Sequence, residues 1–167
     1  MLLSRLYSPS TIIVIDLEAA RLAKARELGA DITLQSGVES VKERVLELTA
    51  GGMDVAMEAV GVPETFELCA DLVKPGGRVA SIGVHGKPAS LHLERLWAHN
   101  ITITTRLVDT VTVPQLLRLI QARRFDPTVF ATHTFRLNEA MNAYDVFSRA
   151  GETGALKVVL KNGGRAA

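Results

Sequence analysis

One acid stands directly after a run of β-branched apolar residues. The run covers residues 11–15, the acid is Asp16, and Arg21 follows five residues later. Such a run is typical of a strand that is buried on both faces of a parallel sheet. The carboxyl end of the strand then lies at the ligand-binding edge of an open α/β fold. An acid there can accept hydrogen bonds from the ribose hydroxyls of an adenosine. Asp16 is therefore a candidate ribose ligand with Arg21 as its assistant; the alternatives are a helix N-cap and a solvated helix position.

Two glycine-containing turns follow predicted strands further along the chain. Their sequences are Val-Gly-Val-Pro from Val60 and Ile-Gly-Val-His-Gly from Ile82. Glycine at such a point lets the backbone approach a ligand, although it is also typical of an ordinary turn. Glu58 lies in the strand before the first turn, so we expect it to have a partner or to lie at a ligand edge.

Histidine and cysteine give weaker signals. His92 and His99 are seven residues apart, too far to share one ion from a single helix, and no cysteine or acid completes a tetrahedral set with them, His85 or His133. We therefore expect the histidines to be hydrogen-bonded or exposed, and we expect no metal site. Cys69, the only cysteine, lies on a predicted apolar helix face and is expected in the core rather than as a nucleophile.

Composition limits the class of protein. The chain has 167 residues, 47% of them hydrophobic and 22% charged, with a net charge of +1. These values exclude disordered and collagen-like chains and give no basic footprint for nucleic acid or an acidic membrane. No apolar run approaches the roughly 20 residues of a membrane span. We expect a small-molecule partner, no membrane and, with one cysteine, a cytoplasmic location.

Strands and helices alternate over the first two thirds of the chain. Strands are predicted at residues 11–16, 32–34, 53–60, 78–84 and 100–105, and helices at 18–28, 38–48, 66–73 and 91–98. Residues 61–65 are predicted as a loop and residues 74–78 as a tight turn. This alternation indicates βαβ units and a parallel sheet.

From about residue 106 the pattern changes. Helices are predicted at 113–122 and 138–150, strands at 130–135 and 155–160, and a frayed terminus at 162–165. Because this tail does not continue the alternation, we place a domain boundary between residues 105 and 106. The chain is thus predicted as two domains, 1–105 and 106–167.

Seven ordered segments together resemble the cofactor-binding half of medium-chain zinc-dependent alcohol dehydrogenases. They are residues 12–16 with Arg21, 28–31, 52–61, 74–79, 101–104, 135–144 and 154–160. The resemblance covers nearly the whole chain. It implies an α/β fold with a Rossmann-type parallel sheet, truncated at its amino-terminal end, over residues 1–105, and a short α+β tail belonging to the catalytic domain over 106–167.

The resemblance also implies a cofactor site. Asp16 binds the adenosine ribose, assisted by Arg21, and favours NAD over NADP because an acid repels a 2′-phosphate. The adenine-to-nicotinamide path is lined by Val60, Gly61, Ile82, Gly83 and Val84. No catalytic residue or zinc ligand is carried over, because in the family the zinc ligands belong to an amino-terminal domain without a counterpart here.

The Gly-rich turn that binds a pyrophosphate is expected roughly 20 residues before the acid. Only 15 residues precede Asp16, and none of them is glycine. We therefore expect a fragment, or a product of an internal start, that is the NAD-binding portion of a zinc-dependent alcohol dehydrogenase. Hydride transfer between an alcohol and NAD belongs to the full-length parent, and this chain alone is expected to be inactive.

The same residues are compatible with other functions. An S-adenosylmethionine-dependent methyltransferase also places an acid on a ribose after its second strand, although the tail after residue 106 argues against it. A zinc-free quinone reductase of the same superfamily and a non-catalytic oligomerising module are further alternatives. In the family, the strand that resembles residues Ile101 to Thr104 joins two subunits into one sheet, which implies a homo-oligomer formed by strand addition.

Overall fold

The computed structural model describes residues 1–107 and 110–163. Contacts divide the chain into two compact units, the first made of Met1–Gly37 with Val111–Ala167 and the second of Val38–Thr110. The domain boundary between residues 105 and 106 stays a prediction. No helix in the described part of the chain is long and apolar enough to cross a membrane.

Strands and helices follow each other along the chain as a mixed α/β structure. The strands are β1 (Ile13–Asp16), β2 (Ile32–Gln35), β3 (Met53–Glu58), β4 (Val73–Ser81), β5 (Thr102–Thr105), β6 (Ala131–Arg136) and β7 (Lys157–Lys161). The α-helices are α1 (Ala19–Glu27), α2 (Val41–Leu48), α3 (Pro63–Leu72), α4 (Leu93–Leu96), α5 (Val113–Gln121), α6 (Ala140–Ser148) and α7 (Ala150–Thr153). Short 3-10 helices cover Leu2–Tyr7, Pro127–Phe130 and Leu137–Glu139.

In the first unit, β1 and β2 pair in parallel and α1 connects them. Leu22 of α1 is buried, and Gly29 follows the helix with a φ of 94°, the left-handed conformation that the sequence predicts for its carboxyl-terminal cap. The sequence predicts that β1 is buried on both faces, which is wrong: all four of its residues are half-buried. The reason is that β1 lies at an edge of the two-stranded sheet formed by the described residues.

In the second unit, β3, β4 and β5 form a parallel sheet in that order. Its core is Ala56, Val73 and the fully buried Val79, against which Phe66 and Cys69 pack. Each fully buried valine stabilises the fold by roughly 1.5–3 kcal/mol through loss of its apolar surface from water. Cys69 is half-buried and packs against this core with its apolar helix face, as the sequence predicts.

Two connections in this unit differ from the sequence prediction. Helix α3 begins at Pro63, inside the predicted loop 61–65, because proline is well tolerated at the first helical position. The predicted tight turn at 74–78 lies within β4: Val73 pairs with Met53 and Arg78 with Val55, so residues 74–77 bulge out of the ladder. The N–H of Gly76 in this bulge donates to the carbonyl of His99 at 2.7 Å.

The carboxyl-terminal segment of the first unit contains its own strand–helix–strand unit. Strands β6 and β7 pair in parallel, with α6 and α7 between them in the chain. The alternation predicted to stop near residue 106 therefore resumes here. The predicted helix 138–150 is divided into a 3-10 turn, α6 and α7. In the predicted frayed terminus, Asn162 and Gly163 follow strand β7, and residues 164 and 165 lie outside the described residues.

Candidate functional site

Asp16 is the last residue of β1, so its side chain lies at the carboxyl end of the strand. Its Oδ1 accepts a hydrogen bond from the N–H of Glu18 at 2.9 Å, and its Oδ2 lies 3.9 Å from a guanidinium nitrogen of Arg21. The structure thus brings together the two residues that the sequence selected. The N-cap alternative is realised only in part, because Glu18 occupies the cap position and Asp16 hydrogen-bonds to it.

The ion pair of Asp16 with Arg21 contributes little to stability. The Arg21 side chain is 48% exposed and that of Asp16 29% exposed. Pairs of this kind contribute at most about 1 kcal/mol because water and salt screen them. Oδ2 of Asp16 therefore keeps the capacity to accept hydrogen bonds from a ligand, and Arg21 supplies a neighbouring positive charge.

The turn after β1 is held by Gln35, a residue that sequence reasoning missed. The Nε2 amide of Gln35 donates to the carbonyl of Leu17 at 2.9 Å, and the N–H of Ser36 donates to the carbonyl of Asp16 at 3.0 Å. Gln35 is the register partner of Asp16 at the end of β2. The only signal for it in the sequence is a polar residue at the end of a short apolar strand.

In the second unit, the two predicted glycine turns leave neighbouring strands at the same sheet edge. Glu58 ends β3 and Ser81 ends β4, and the two residues are register partners. The first turn begins directly after β3 with Ala59 and Val60, and the second begins directly after β4 with Ile82. This is the edge at which parallel sheets bind ligands.

The carboxylate of Glu58 is buried and lies between these two turns. Its Oε1 accepts hydrogen bonds from the N–H groups of Val60 and Gly61, both at 2.7 Å, and from the hydroxyl of Thr65 at 2.8 Å. Its side chain has no exposed surface. The sequence prediction that Glu58 has a partner is confirmed, while Thr65 was not anticipated.

The other oxygen of Glu58 faces the second turn. Oε2 lies 3.1 Å from Nε2 of His85 and 3.3 Å from the hydroxyl oxygen of Ser81. The His85 ring also meets Phe66 edge-on, with ring centroids 6.1 Å apart. Within the described residues, Nδ1 of His85 is buried without a hydrogen-bond partner. His85 is therefore hydrogen-bonded at one ring nitrogen only, whereas the sequence predicts a fully hydrogen-bonded or exposed histidine.

The pKa of Glu58 reflects two opposing effects. Burial raises the pKa, but the hydrogen bonds lower it by a larger amount, and the pKa is about 2. These bonds come from Gly61, Val60, Thr65 and His85. Glu58 is therefore ionised at neutral pH. A buried carboxylate is tolerated here because both of its oxygens accept hydrogen bonds.

The glycines of the two turns are required for the turns to approach each other. Gly61 has a φ of 90°, and a Cβ on it would lie 2.4 Å from the carbonyl oxygen of Val84. A Cβ on Gly83 would lie 2.3 Å from the nitrogen of Gly61 and 2.5 Å from Oε2 of Glu58. Close packing of backbone on backbone thus accounts for both glycines.

Three apolar side chains of these turns are exposed. The exposed fractions are 67% for Val60, 56% for Ile82 and 86% for Val84. Apolar groups beside a few fixed polar ones are typical of small-molecule sites. All five turn residues that the sequence selects lie on these two adjoining turns: Val60, Gly61, Ile82, Gly83 and Val84.

Metal and thiol chemistry find no support in the described residues. No group of three histidine, cysteine or acidic side chains is placed to hold a metal ion within residues 1–107 and 110–163. The described side chains therefore do not fit a zinc ion. Burial and the negative charge of Glu58 raise the pKa of the Cys69 thiol to about 11, so it stays protonated and unreactive at neutral pH.

Comparison with known proteins identifies the chain's relatives. A family model described as zinc-binding dehydrogenase matches residues 6–122. An alcohol dehydrogenase of Cupriavidus necator is 34% identical over 163 residues, which cover 95% of this chain and 44% of that protein. The chain thus spans less than half the length of this curated relative.

Solved structures agree with the sequence comparison. Zinc-dependent alcohol dehydrogenase 2 from Streptococcus pneumonia, in its apo form, is 41% identical with a TM-score of 0.93, over 99% of this chain and 48% of that one. Alcohol dehydrogenase TADH from Thermus sp. ATN1 is 31% identical with a TM-score of 0.87, over 96% of this chain and 46% of that one.

These matches confirm the predicted Rossmann-type parallel α/β fold. They give no support to the methyltransferase, the quinone reductase or the non-catalytic module. The family model covers well over half of the chain, and the resemblance stated from the sequence is confirmed. The chain belongs to the zinc-binding dehydrogenase family.

Proposed function

We propose that this chain is the NAD-binding portion of a zinc-dependent alcohol dehydrogenase, an oxidoreductase that transfers hydride between an alcohol and NAD. The observation that carries the proposal is the carboxylate of Asp16 at the carboxyl end of β1, with Oδ2 3.9 Å from the guanidinium of Arg21. Relatives named alcohol dehydrogenase support the same reaction class. The alcohol substrate is a property of the whole protein.

In this proposal Asp16 accepts hydrogen bonds from the two ribose hydroxyls of the adenosine, and Arg21 assists it. A carboxylate at this position repels a 2′-phosphate, so NAD is preferred over NADP. The rest of the dinucleotide path is assigned to Val60, Gly61, Ile82, Gly83 and Val84. When bound, NAD supplies the hydride acceptor, and the residues of this chain bind and orient it.

Zinc is proposed only for the full-length parent. The described residues do not gather a ligand set, and the family name and the relatives' names are what link the chain to zinc. The proposal therefore includes that residues 1–167 alone do not oxidise alcohols. We also propose a cytoplasmic location. Its support is that Cys69, the only cysteine in the sequence, is a free thiol, as is usual in a reducing compartment.

Calorimetry on the purified chain tests cofactor binding. NAD, NADP and S-adenosylmethionine are titrated separately into the protein at pH 7. The proposal predicts saturable binding of NAD, weaker binding of NADP and none of S-adenosylmethionine. Absence of heat with NAD up to millimolar concentration would show that this site does not bind the cofactor, and preference for S-adenosylmethionine would move the protein to a different class.

We also propose that two copies of the chain associate through the strand at Ile101 to Thr104. Strand β5 is an edge of the described three-stranded sheet, and Thr102 and Thr104 are exposed on it. Beside it the side chains of Leu93 and Trp97 are 60% and 79% exposed, an apolar patch that a second copy would cover.

Light scattering tests this association. Wild type is predicted to have twice the monomer mass at micromolar concentration. Thr102→Lys, which places a charge on the edge strand, is predicted to give monomer, while Gln115→Lys on exposed helix α5 leaves the mass unchanged. A monomeric wild type would disprove the association.

A further inference from the structure

We propose that Glu58 is a positioning residue for the candidate cofactor site, because its buried carboxylate connects the turn after β3 to the turn after β4. The inference rests on the proposed function, which assigns residues of both turns to the dinucleotide. Glu58 is not among the residues assigned to contact NAD. It acts through the shape of the two turns.

The two carboxylate oxygens of Glu58 form hydrogen bonds with different turns. Oε1 accepts from the backbone of Val60 and Gly61 in the first turn. Oε2 faces Ser81, which directly precedes the second turn, and His85, which belongs to it. One carboxylate therefore fixes the start of the first turn and holds the second turn on both sides of Gly83 and Val84.

The backbone of Glu58 takes part as well. Its carbonyl oxygen accepts hydrogen bonds from the N–H of Ile82 at 2.8 Å and of Gly83 at 3.3 Å. These bonds continue the strand pairing and would survive a change of side chain. Only the side chain reaches the first turn and His85. A substitution at Glu58 therefore tests the contribution of the carboxylate without removing the backbone hydrogen bonds of the strand pairing.

The packing of the two turns makes the connection tight. The space beside Gly83 is closed by the nitrogen of Gly61 and by Oε2 of Glu58, which leaves no room for a methyl group. A shift of one turn therefore displaces the other. Val60, Ile82 and Val84 expose their side chains from these same turns, so the carboxylate sets where that apolar surface lies.

A catalytic reading of Glu58, Ser81 and His85 is not supported by the geometry. In a serine–histidine–acid relay the acid hydrogen-bonds one ring nitrogen and the serine the other. Here Ser81 and Glu58 both face Nε2 of His85, at 3.3 and 3.1 Å, while Nδ1 has no partner among the described residues. The arrangement holds turns in place.

Glu58→Gln is the variant that tests the inference. The amide keeps the shape of the carboxylate and its carbonyl oxygen can still accept from Val60 and Gly61, but its NH2 group faces His85 and Ser81 as a donor. The control is Asp54→Asn, which removes one negative charge from the same strand at an exposed position paired with Lys74. Both variants are measured as the full chain.

Two readouts are used on these proteins. NAD affinity is measured by calorimetry, and we expect Glu58→Gln to weaken it at least tenfold and Asp54→Asn less than twofold. The tautomer of His85 is read from its ring nitrogen shifts by NMR, with the backbone amide shifts of Gly83 and Val84. In wild type we expect the proton on Nε2, donated to Glu58, and in Glu58→Gln its transfer to Nδ1 with shifted amides in the second turn.

If Glu58→Gln does not fold, Thr65→Val and Thr65→Ser replace it. Valine removes the hydroxyl that donates to Oε1, and serine keeps it, so only valine is expected to weaken NAD binding, by several-fold. Equal affinities for this pair would overturn the inference.

The inference and the proposed function fail differently. A folded Glu58→Gln that binds NAD within twofold of wild type overturns the inference and leaves the proposed function intact. Absence of NAD binding by wild type overturns the proposed function. In that case the NMR arm decides: unchanged Gly83 and Val84 amides in Glu58→Gln overturn the connection between the turns, and shifted amides support it.

Discussion

Lowering the pH should destabilise this protein through Glu58. The folded state lowers the pKa of Glu58 from its ordinary value of 4.5 to about 2. A group whose pKa is depressed on folding stabilises the protein above its unfolded pKa, and this contribution is lost as the pH falls toward the folded pKa. The window for Glu58 therefore runs from about pH 5 down to about pH 2.

The size of the effect follows from the two pKa values. The difference corresponds to roughly 3 kcal/mol of unfolding free energy at pH 7, of which about 2 kcal/mol is lost by pH 3. This is a large part of the 5–15 kcal/mol typical of a domain. Other carboxyl groups also titrate in this range, so the effect of Glu58 has to be isolated by a variant.

Urea unfolding of wild type and Glu58→Gln at pH 7 and pH 3 isolates it. Wild type is expected to be more stable than the variant at pH 7, and this advantage should shrink by about 2 kcal/mol at pH 3. Asp54→Asn serves as the control, because Asp54 is exposed and its pKa is lowered mainly by its contact with Lys74 at the surface. If the wild-type advantage is the same at both pH values, the account of Glu58 as a buried, hydrogen-bonded carboxylate is refuted.

Three further predictions concern packing and reactivity. In urea titrations, Gly61→Ala should lower the unfolding free energy by about 2 kcal/mol or more, because Gly61 has a positive φ and a Cβ there would collide with the neighbouring turn. Gly86→Ala is the control: a Cβ on Gly86 meets open space, so the change should be less than about 0.5 kcal/mol. Equal effects of the two variants would contradict this. Val79→Ala should cost about 2 kcal/mol by the same measurement because Val79 is fully buried, and a neutral result would contradict its core position. Cys69 should react slowly with a thiol reagent at pH 7 and quickly once the chain is unfolded in urea, because its pKa is raised to about 11; rapid labelling of the folded protein would contradict this.

The sequence is sufficient to predict features that depend on local pattern. The β-branched run before Asp16 and the helical spacing after it predict β1 and α1 to within a few residues. Gly29 predicts the end of that helix because few other residues adopt a left-handed conformation there. Asp16 and Arg21 lie on consecutive elements, so their proximity also follows from local structure.

Features that depend on distant contacts were not predictable in this way. The partners of Glu58 come from three separate segments, and only the register of β3 with β4 brings Ser81 and His85 to its carboxylate. Proline and two glycines predict a turn at 74–78, yet pairing of Val73 with Met53 keeps this segment within a strand. The burial of β1 likewise depends on which strands flank it.

The central proposal is that Asp16 binds the ribose of NAD. The ratio of the dissociation constants of NADP and NAD tests it most directly, measured by calorimetry for wild type and Asp16→Asn. Asparagine keeps the hydrogen bond to the N–H of Glu18 but removes the charge. The ratio is predicted to be at least about 10 in wild type, since charged hydrogen bonds contribute about 1.5–3 kcal/mol, and to fall toward 1 in the variant as NAD binding weakens. An unchanged ratio, or no saturable binding of either dinucleotide to wild type, would contradict the proposal.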